Sequence, residues 1–208
     1  MKKLESSLLN MVLVLTGVAV IMGGILAYMN HLTEGPINEQ KVKALNDGIK
    51  VVMCNETAEM AKVDTVIKND AKGKELTYII YQIQNAQKQD LGAAVVSTTS
   101  GFGGDLKVLV GFDSEGKILG YTLLEHTETP GLGAKADKWF QKGQKGDIIG
   151  KSPAVPLTVK KDDGQIDAIT ASTITSRAFL LAINNAYNAY KATPASDAQT
   201  GASQQVKN

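Results

Sequence analysis

The stretch on which the fold turns is Val108-Leu109-Val110-Gly111-Phe112, then Asp113-Ser114-Glu115-Gly116, then Lys117-Ile118-Leu119-Gly120-Tyr121-Thr122-Leu123-Leu124. Two apolar runs rich in branched and aromatic side chains flank a short polar turn ending in glycine, which predicts an antiparallel hairpin. Upstream, Leu76-Thr77-Tyr78-Ile79-Ile80-Tyr81 makes Glu75 to Gln84 a strand. Downstream, Leu157 to Lys160, the turn Lys161-Asp162-Asp163-Gly164, and Ile166 to Ile169 predict a second hairpin. Between them, Ala134 to Gln141 predicts a short helix carrying Trp139 and Phe140. After Ser172, Phe179, Ile183, Ala186, Tyr187 and Tyr190 recur at helical spacing, so one face of a long helix should cover the sheet. The fold class is therefore α+β: an antiparallel sheet with a packed C-terminal helix.

Ahead of this domain the composition changes. No Asp, Glu, Lys or Arg occurs from Ser6 to Leu32, and Leu8 to Met29 is almost continuously apolar. At about 1.5 Å per residue this run reaches roughly 33 Å, enough to cross a hydrocarbon core. Ala27-Tyr28-Met29-Asn30-His31 makes a poor cleavage site, so the segment reads as a retained transmembrane helix, with Tyr28 and His31 at its far boundary. Lys2 and Lys3 just before the span keep the N-terminus cytoplasmic and send the rest across the cell membrane. Pro36 followed by apolar residues at helical spacing predicts a stalk helix starting near Gly35, while Asn55 to Lys74 yields no firm element. The expected organisation is 1–7 cytoplasmic, 8–30 in the bilayer, 31–74 stalk and connecting segment, 75–191 the extracytoplasmic domain, and 192–208 a tail without apolar periodicity, read as disordered.

Charge and cysteine content exclude several functions. The 208 residues carry 22 Lys+Arg against 21 Asp+Glu, too even a balance for a general nucleic-acid binder. A single cysteine, Cys54, and two histidines, His31 and His126, leave no disulfide framework and no multi-histidine or Cys-rich metal centre. No residue reads as a nucleophile or general base for substrate chemistry.

Two segments offer binding chemistry. Asp167-Ala168-Ile169-Thr170-Ala171-Ser172-Thr173-Ile174-Thr175-Ser176 crowds hydroxyls between a strand and a helix. On composition alone they read first as helix capping, and the sharper alternative is a phosphate site, because first-turn amides and the helix dipole favour anions. His126-Thr127-Glu128-Thr129-Pro130-Gly131-Leu132-Gly133 is an irregular loop whose carboxylate, hydroxyls and leucine suit a planar ligand with polar edges. Ser100-Gly101-Phe102-Gly103-Gly104 reads first as a bend.

The order of membrane span, Gly101-Phe102-Gly103-Gly104, Glu128 to Gly133, and Asp167-x-x-Thr170-x-x-Thr173-x-Thr175-Ser176 resembles the FMN-binding domain family. Within it, the likeness is to the G subunits of Rnf-type ion-translocating electron transport complexes, from the anchor to about Tyr190. The resemblance implies FMN held by a phosphoester to the last Thr of an Asp-x-x-Ser/Thr-Gly-Ala-Thr pattern, which by position is Thr173 rather than Ser172 or Thr175. It further implies that Glu128, Thr129, Leu132 and Gly133 contact the ring end. Thr173, with Thr170, Ser172, Thr175 and Ser176 around it, would fix the phosphate end. Asp167 would be the residue by which a flavin transferase recognises its target. Ala171-Ser172 replaces the family's Gly-Ala. A positive φ at Ala171 would cost roughly 1–2 kcal/mol, so an ordinary backbone is expected there.

The function so implied is a redox relay rather than an independent catalyst. It would be a subunit of a translocase coupling electron transfer between ferredoxin and NAD to Na⁺ or H⁺ movement, with the other membrane and peripheral subunits and the lipid bilayer as partners. Covalent attachment suits an exported flavin, which no cytoplasmic pool could replace. Two other readings stay open: the C subunit of a sodium-pumping NADH:quinone reductase, which shares the domain but is usually longer, and a pilin-like or anchored structural or binding protein without flavin.

Overall fold

A computed structural model describes residues 8–69 and 75–192. Helix α1 spans Leu8–Val52. Five strands follow, β1 Glu59–Asn69, β2 Glu75–Gln84, β3 Asp90–Ser100, β4 Asp105–Phe112 and β5 Ile118–Glu125. A one-turn helix α2, Ala136–Trp139, and a long helix α3, Thr173–Ala192, complete the described chain. The expected disordered tail beyond Ala192 and the N-terminal seven residues lie outside the described residues.

The chain divides between Ala44 and Leu45. The first part is helical throughout its described length, and its apolar side chains from Leu8 to Leu26 are exposed. By length and composition this helix can cross a membrane. A separate stalk helix starting near Gly35 was expected; instead Pro36 lies inside α1, which continues through it. Proline lacks the N–H that would bond back one turn, so the helix forgoes that bond. One turn earlier, the Thr33 hydroxyl donates to the Met29 carbonyl at 2.9 Å.

In the second part the five strands form one antiparallel meander in the order β1-β2-β3-β4-β5. The hairpin expected around Asp113 to Gly116 is β4–β5, with Val110 opposite Tyr121 and Gly111 opposite Gly120. On one face α3 packs Phe179, Ala182, Ile183 and Ala186 against Ile80, Val95, Val108, Val110 and Phe112. Phe179 lies in a stack with Phe140 (centroids 4.4 Å apart) and edge-on to Tyr121 at 4.8 Å. On the other face Ile49, Val52 and Met53 at the end of α1 pack on Tyr81, Ile83, Ala94, Val96 and Leu109. A Cβ at Gly111 would collide with the Val52 carbonyl, and one at Gly120 would meet it at 3.0 Å, so the paired glycines set how closely this turn approaches the sheet.

Two strands escaped the sequence pattern. β1 lies in the segment that yielded no element, so the sheet begins before residue 75. It is an edge strand whose Met60, Val63 and Ile67 stay exposed beside Lys62 and Lys68, and such strands need little apolar periodicity. β3 is central and buried on both faces through Ala93, Ala94, Val95 and Val96, so it lacks the apolar–polar alternation of a half-buried strand, although Val95, Val96, Thr98 and Thr99 carried a strand signal the sequence reading left unused. The second hairpin is a correction. Val159 and Ile166 meet in one isolated bridge, and Lys160–Asp162 is a 3-10 turn closed by Asp163 at φ 58°. The Leu157 amide and carbonyl are satisfied by the Asn184 side chain rather than by a strand.

Candidate functional site

The loop after β5, the glycine bend after β3 and the start of α3 converge on one carboxylate. Glu128, only 6% exposed, accepts from the Phe102 amide at 2.7 Å and the Gly103 amide at 3.3 Å through Oε1. Through Oε2 it accepts from Thr175 Oγ1 at 2.8 Å. A Cβ at Gly101 or at Gly133 would strike this carboxylate, so both glycines are required by close approach. The Thr127 hydroxyl adds a bond to the Gly103 carbonyl at 2.9 Å. The glycine bend is therefore a partner of the Glu128 loop, a role the sequence alone left as a simple bend.

The same geometry sorts the hydroxyl cluster. Thr175 is buried and committed to Glu128. Ser176 Oγ accepts from the Ile169 amide at 2.9 Å and donates to the Ser172 carbonyl at 2.9 Å, buried completely. Ser172 is itself buried, at 9% exposure. Thr170 is exposed, and Thr173, the first residue of α3, is half-buried with its hydroxyl accepting from Lys161 Nζ at 3.3 Å. The ordinary backbone expected at Ala171 is overturned: its φ is +60°, the left-handed region that favours glycine. The abrupt reversal from the buried Ile169 into α3 demands that conformation, and alanine bears its cost.

Three successive residues of the 3-10 turn reach this helix start. Lys160 pairs with Asp167 at 2.8 Å, Lys161 meets Thr173, and Asp162 takes a bidentate pair from Arg177 at 2.6 and 2.7 Å. The Arg177 guanidinium holds the Asp162 carboxyl below its usual range. Asp167 also receives the Trp139 indole N–H on its backbone carbonyl at 2.8 Å. Trp139 is half-buried against the core.

Trp139 borders an open cavity of about 450 Å³ with Pro130, Gly131, Ala134, Lys135 and Asp137. This size lies within the range of small-molecule sites. Leu132 and Thr129 are exposed in the loop beside it, whereas Gly133 is buried. Trp139 joins the cavity wall to Asp167, and Gly133 abuts Thr175, so cavity and helix start belong to one region. The residues fit FMN on their own chemistry: a cation and first-turn amides beside a free hydroxyl for the phosphate, and a largely apolar cleft for a ring.

The chain sets an antiparallel sheet backed by a helix whose N-terminus carries hydroxyls against a Glu-Thr-Pro-Gly-Leu-Gly loop, and residues 101–188 match the FMN-binding domain family. Over longer spans the chain is 31% identical to the G subunit of the ion-translocating oxidoreductase complex of Shewanella baltica, covering 81% of this chain and 82% of the relative. It is 33% identical to the corresponding G subunit of Yersinia pestis, over 78% of this chain and 80% of that one. The G subunit of the Na(+)-translocating ferredoxin:NAD(+) oxidoreductase complex of Acetobacterium woodii is 29% identical, with 86% and 89% covered. The chain belongs to the family of ion-translocating oxidoreductase complex G subunits. Among solved structures, the C subunit of the Na(+)-translocating NADH-quinone reductase of Parabacteroides distasonis aligns with a TM-score of 0.43 at 21% identity, over 67% of this chain and 80% of that one.

Proposed function

We propose that this protein is an electron-transfer subunit of an Rnf-type ion-translocating oxidoreductase, carrying FMN as a phosphoester on Thr173. The observation that carries this reading is the sorting of hydroxyls at the start of α3. Thr175 and Ser176 are spent on internal bonds and Ser172 is buried, while Thr173 keeps its hydroxyl at the surface beside an ammonium group. Thr170 is also exposed, but it precedes the helix, whereas Thr173 is flanked by the first-turn amides that have no intrahelical partner.

Bound FMN supplies one- and two-electron chemistry. The chain's own residues hold and orient it. Thr173 and the α3 amides fix the phosphate end, and Leu132, Thr129 and Gly133 border the ring end. Glu128 acts as the brace that positions this loop against α3, because its oxygens are occupied by Phe102, Gly103 and Thr175. Asp167 marks the site for a flavin transferase. With Lys2 and Lys3 on the cytoplasmic side, α1 tethers the domain outside the cell membrane. There it works among the complex's other subunits, which couple ferredoxin:NAD electron transfer to Na⁺ or H⁺ movement.

Intact-mass measurement on the full chain from a host containing a transferase is the test. One FMN less water is expected on the wild type and on Thr170→Ala, and none on Thr173→Ala. An unmodified wild type, or flavin retained by Thr173→Ala, would refute the assignment.

A further inference from the structure

Among the described residues, the cations around the helix start are committed unequally. Lys160 is paired with Asp167 and Arg177 with Asp162, but the Lys161 ammonium makes no carboxylate pair and lies 3.3 Å from Thr173 Oγ1. Its backbone is not free to wander. It is the middle residue of the 3-10 turn, with its neighbours on both sides clamped to the α3 region and the Asp162 amide donating to the Val159 carbonyl at 2.8 Å. The bidentate Arg177 fork fixes orientation as well as distance.

Resting on the attachment reading above, we propose that Lys161 is the charge partner of the flavin phosphate. The clamped turn presents its ammonium to the Thr173 oxygen, so the single negative charge of the phosphodiester formed there is met by a cation already in place. Attachment by the transferase forms the Thr173 Oγ1–P bond as the P–O–P bond of an activated flavin dinucleotide breaks; the other nucleoside monophosphate leaves, the hydroxyl proton passes to solvent, and a neutral hydroxyl is replaced by a phosphodiester anion. Without Lys161, that charge would be relieved by the α3 amides and by water, since Lys160 and Arg177 in the same region are already paired with Asp167 and Asp162. An ammonium at this distance favours the modified state over the unmodified one, and it favours the approach of the phosphoryl group during attachment. Lys161 is thus a positioning residue for modification rather than a redox residue.

The test uses full-length protein co-expressed with an inducible transferase. The modified fraction is read by intact mass at short induction times, and the phosphorus resonance is read by NMR on the purified, detergent-solubilised holoprotein. Lys161→Met is expected to slow modification roughly three- to tenfold, the range of one charge-assisted bond discounted for exposure, and to shift the phosphorus resonance. Lys161→Arg is expected to restore both, while Lys117→Met, a charge control at the β4–β5 turn, changes neither. Modification of Lys161→Met at the wild-type rate, or a slowed rate with an unmoved resonance, overturns the proposal and leaves Thr173 attachment standing. A wild type that gains no FMN mass, or gains it away from Thr173, removes the attachment reading and this proposal together.

Discussion

Glu128 Oε2 accepts the Thr175 hydroxyl proton at 2.8 Å, joining residues 47 positions apart and locking the Glu-Thr-Pro-Gly-Leu-Gly loop to the first turn of α3. Its other oxygen holds the glycine bend between β3 and β4, so three chain segments share one buried carboxylate.

Replacing this brace should cost folding stability. Glu128→Ala leaves the Phe102 and Gly103 amides and the Thr175 hydroxyl without their acceptor, a loss of about 3 kcal/mol, whereas Glu128→Gln keeps one acceptor and should cost about half as much. Urea unfolding followed by circular dichroism measures both. Equal stability of Glu128→Ala and wild type would show that the carboxylate does not brace the loop.

Ala171 sits at φ +60°. Glycine there removes a strain of about 1–2 kcal/mol and adds about 0.4–1 kcal/mol of unfolded-chain entropy, so Ala171→Gly should stabilise by roughly 0.5–1 kcal/mol. A raised midpoint of thermal unfolding is the expected result; a lowered one would contradict the left-handed backbone.

Ser97 is wholly buried in β3, and its hydroxyl has no hydrogen-bond partner among the described residues. Desolvating a hydroxyl without a partner is costly, so Ser97→Ala should be neutral or stabilise by up to about 1 kcal/mol. Most buried substitutions destabilise, which makes the sign of this one informative in a denaturant titration.

The Asp162–Arg177 pair gives an acid-dependent clamp. Because the folded carboxyl titrates lower than the unfolded one, the pair's contribution is fully present above the ordinary carboxylate range and is lost as pH falls through the lowered value. Carboxyl NMR shifts should show Asp162 titrating below other exposed aspartates, and Arg177→Met should return it to them. An unshifted Asp162 in the wild type would mean the pair does not form in solution.

By its chemistry alone the chain specified a long apolar anchor, a β4–β5 hairpin, an amphipathic α3 and two motif segments, because each is encoded in neighbouring residues: an uncharged run, alternation about a turn, and helical spacing. The strands β1 and β3 were not legible. One is a partly solvated edge, and the other shows no alternation because both its faces are buried, by α3 on one side and by the end of α1 on the other. The second hairpin shrank to one bridge for the complementary reason, since Asn184, distant in sequence, takes the hydrogen bonds of Leu157 that a partner strand would have supplied. At the site, motif position indicated Thr173, but only the tertiary structure divided the hydroxyls into committed and free. That division depends on Glu128 reaching Thr175 and on Lys161 reaching Thr173, contacts between segments that no local pattern records.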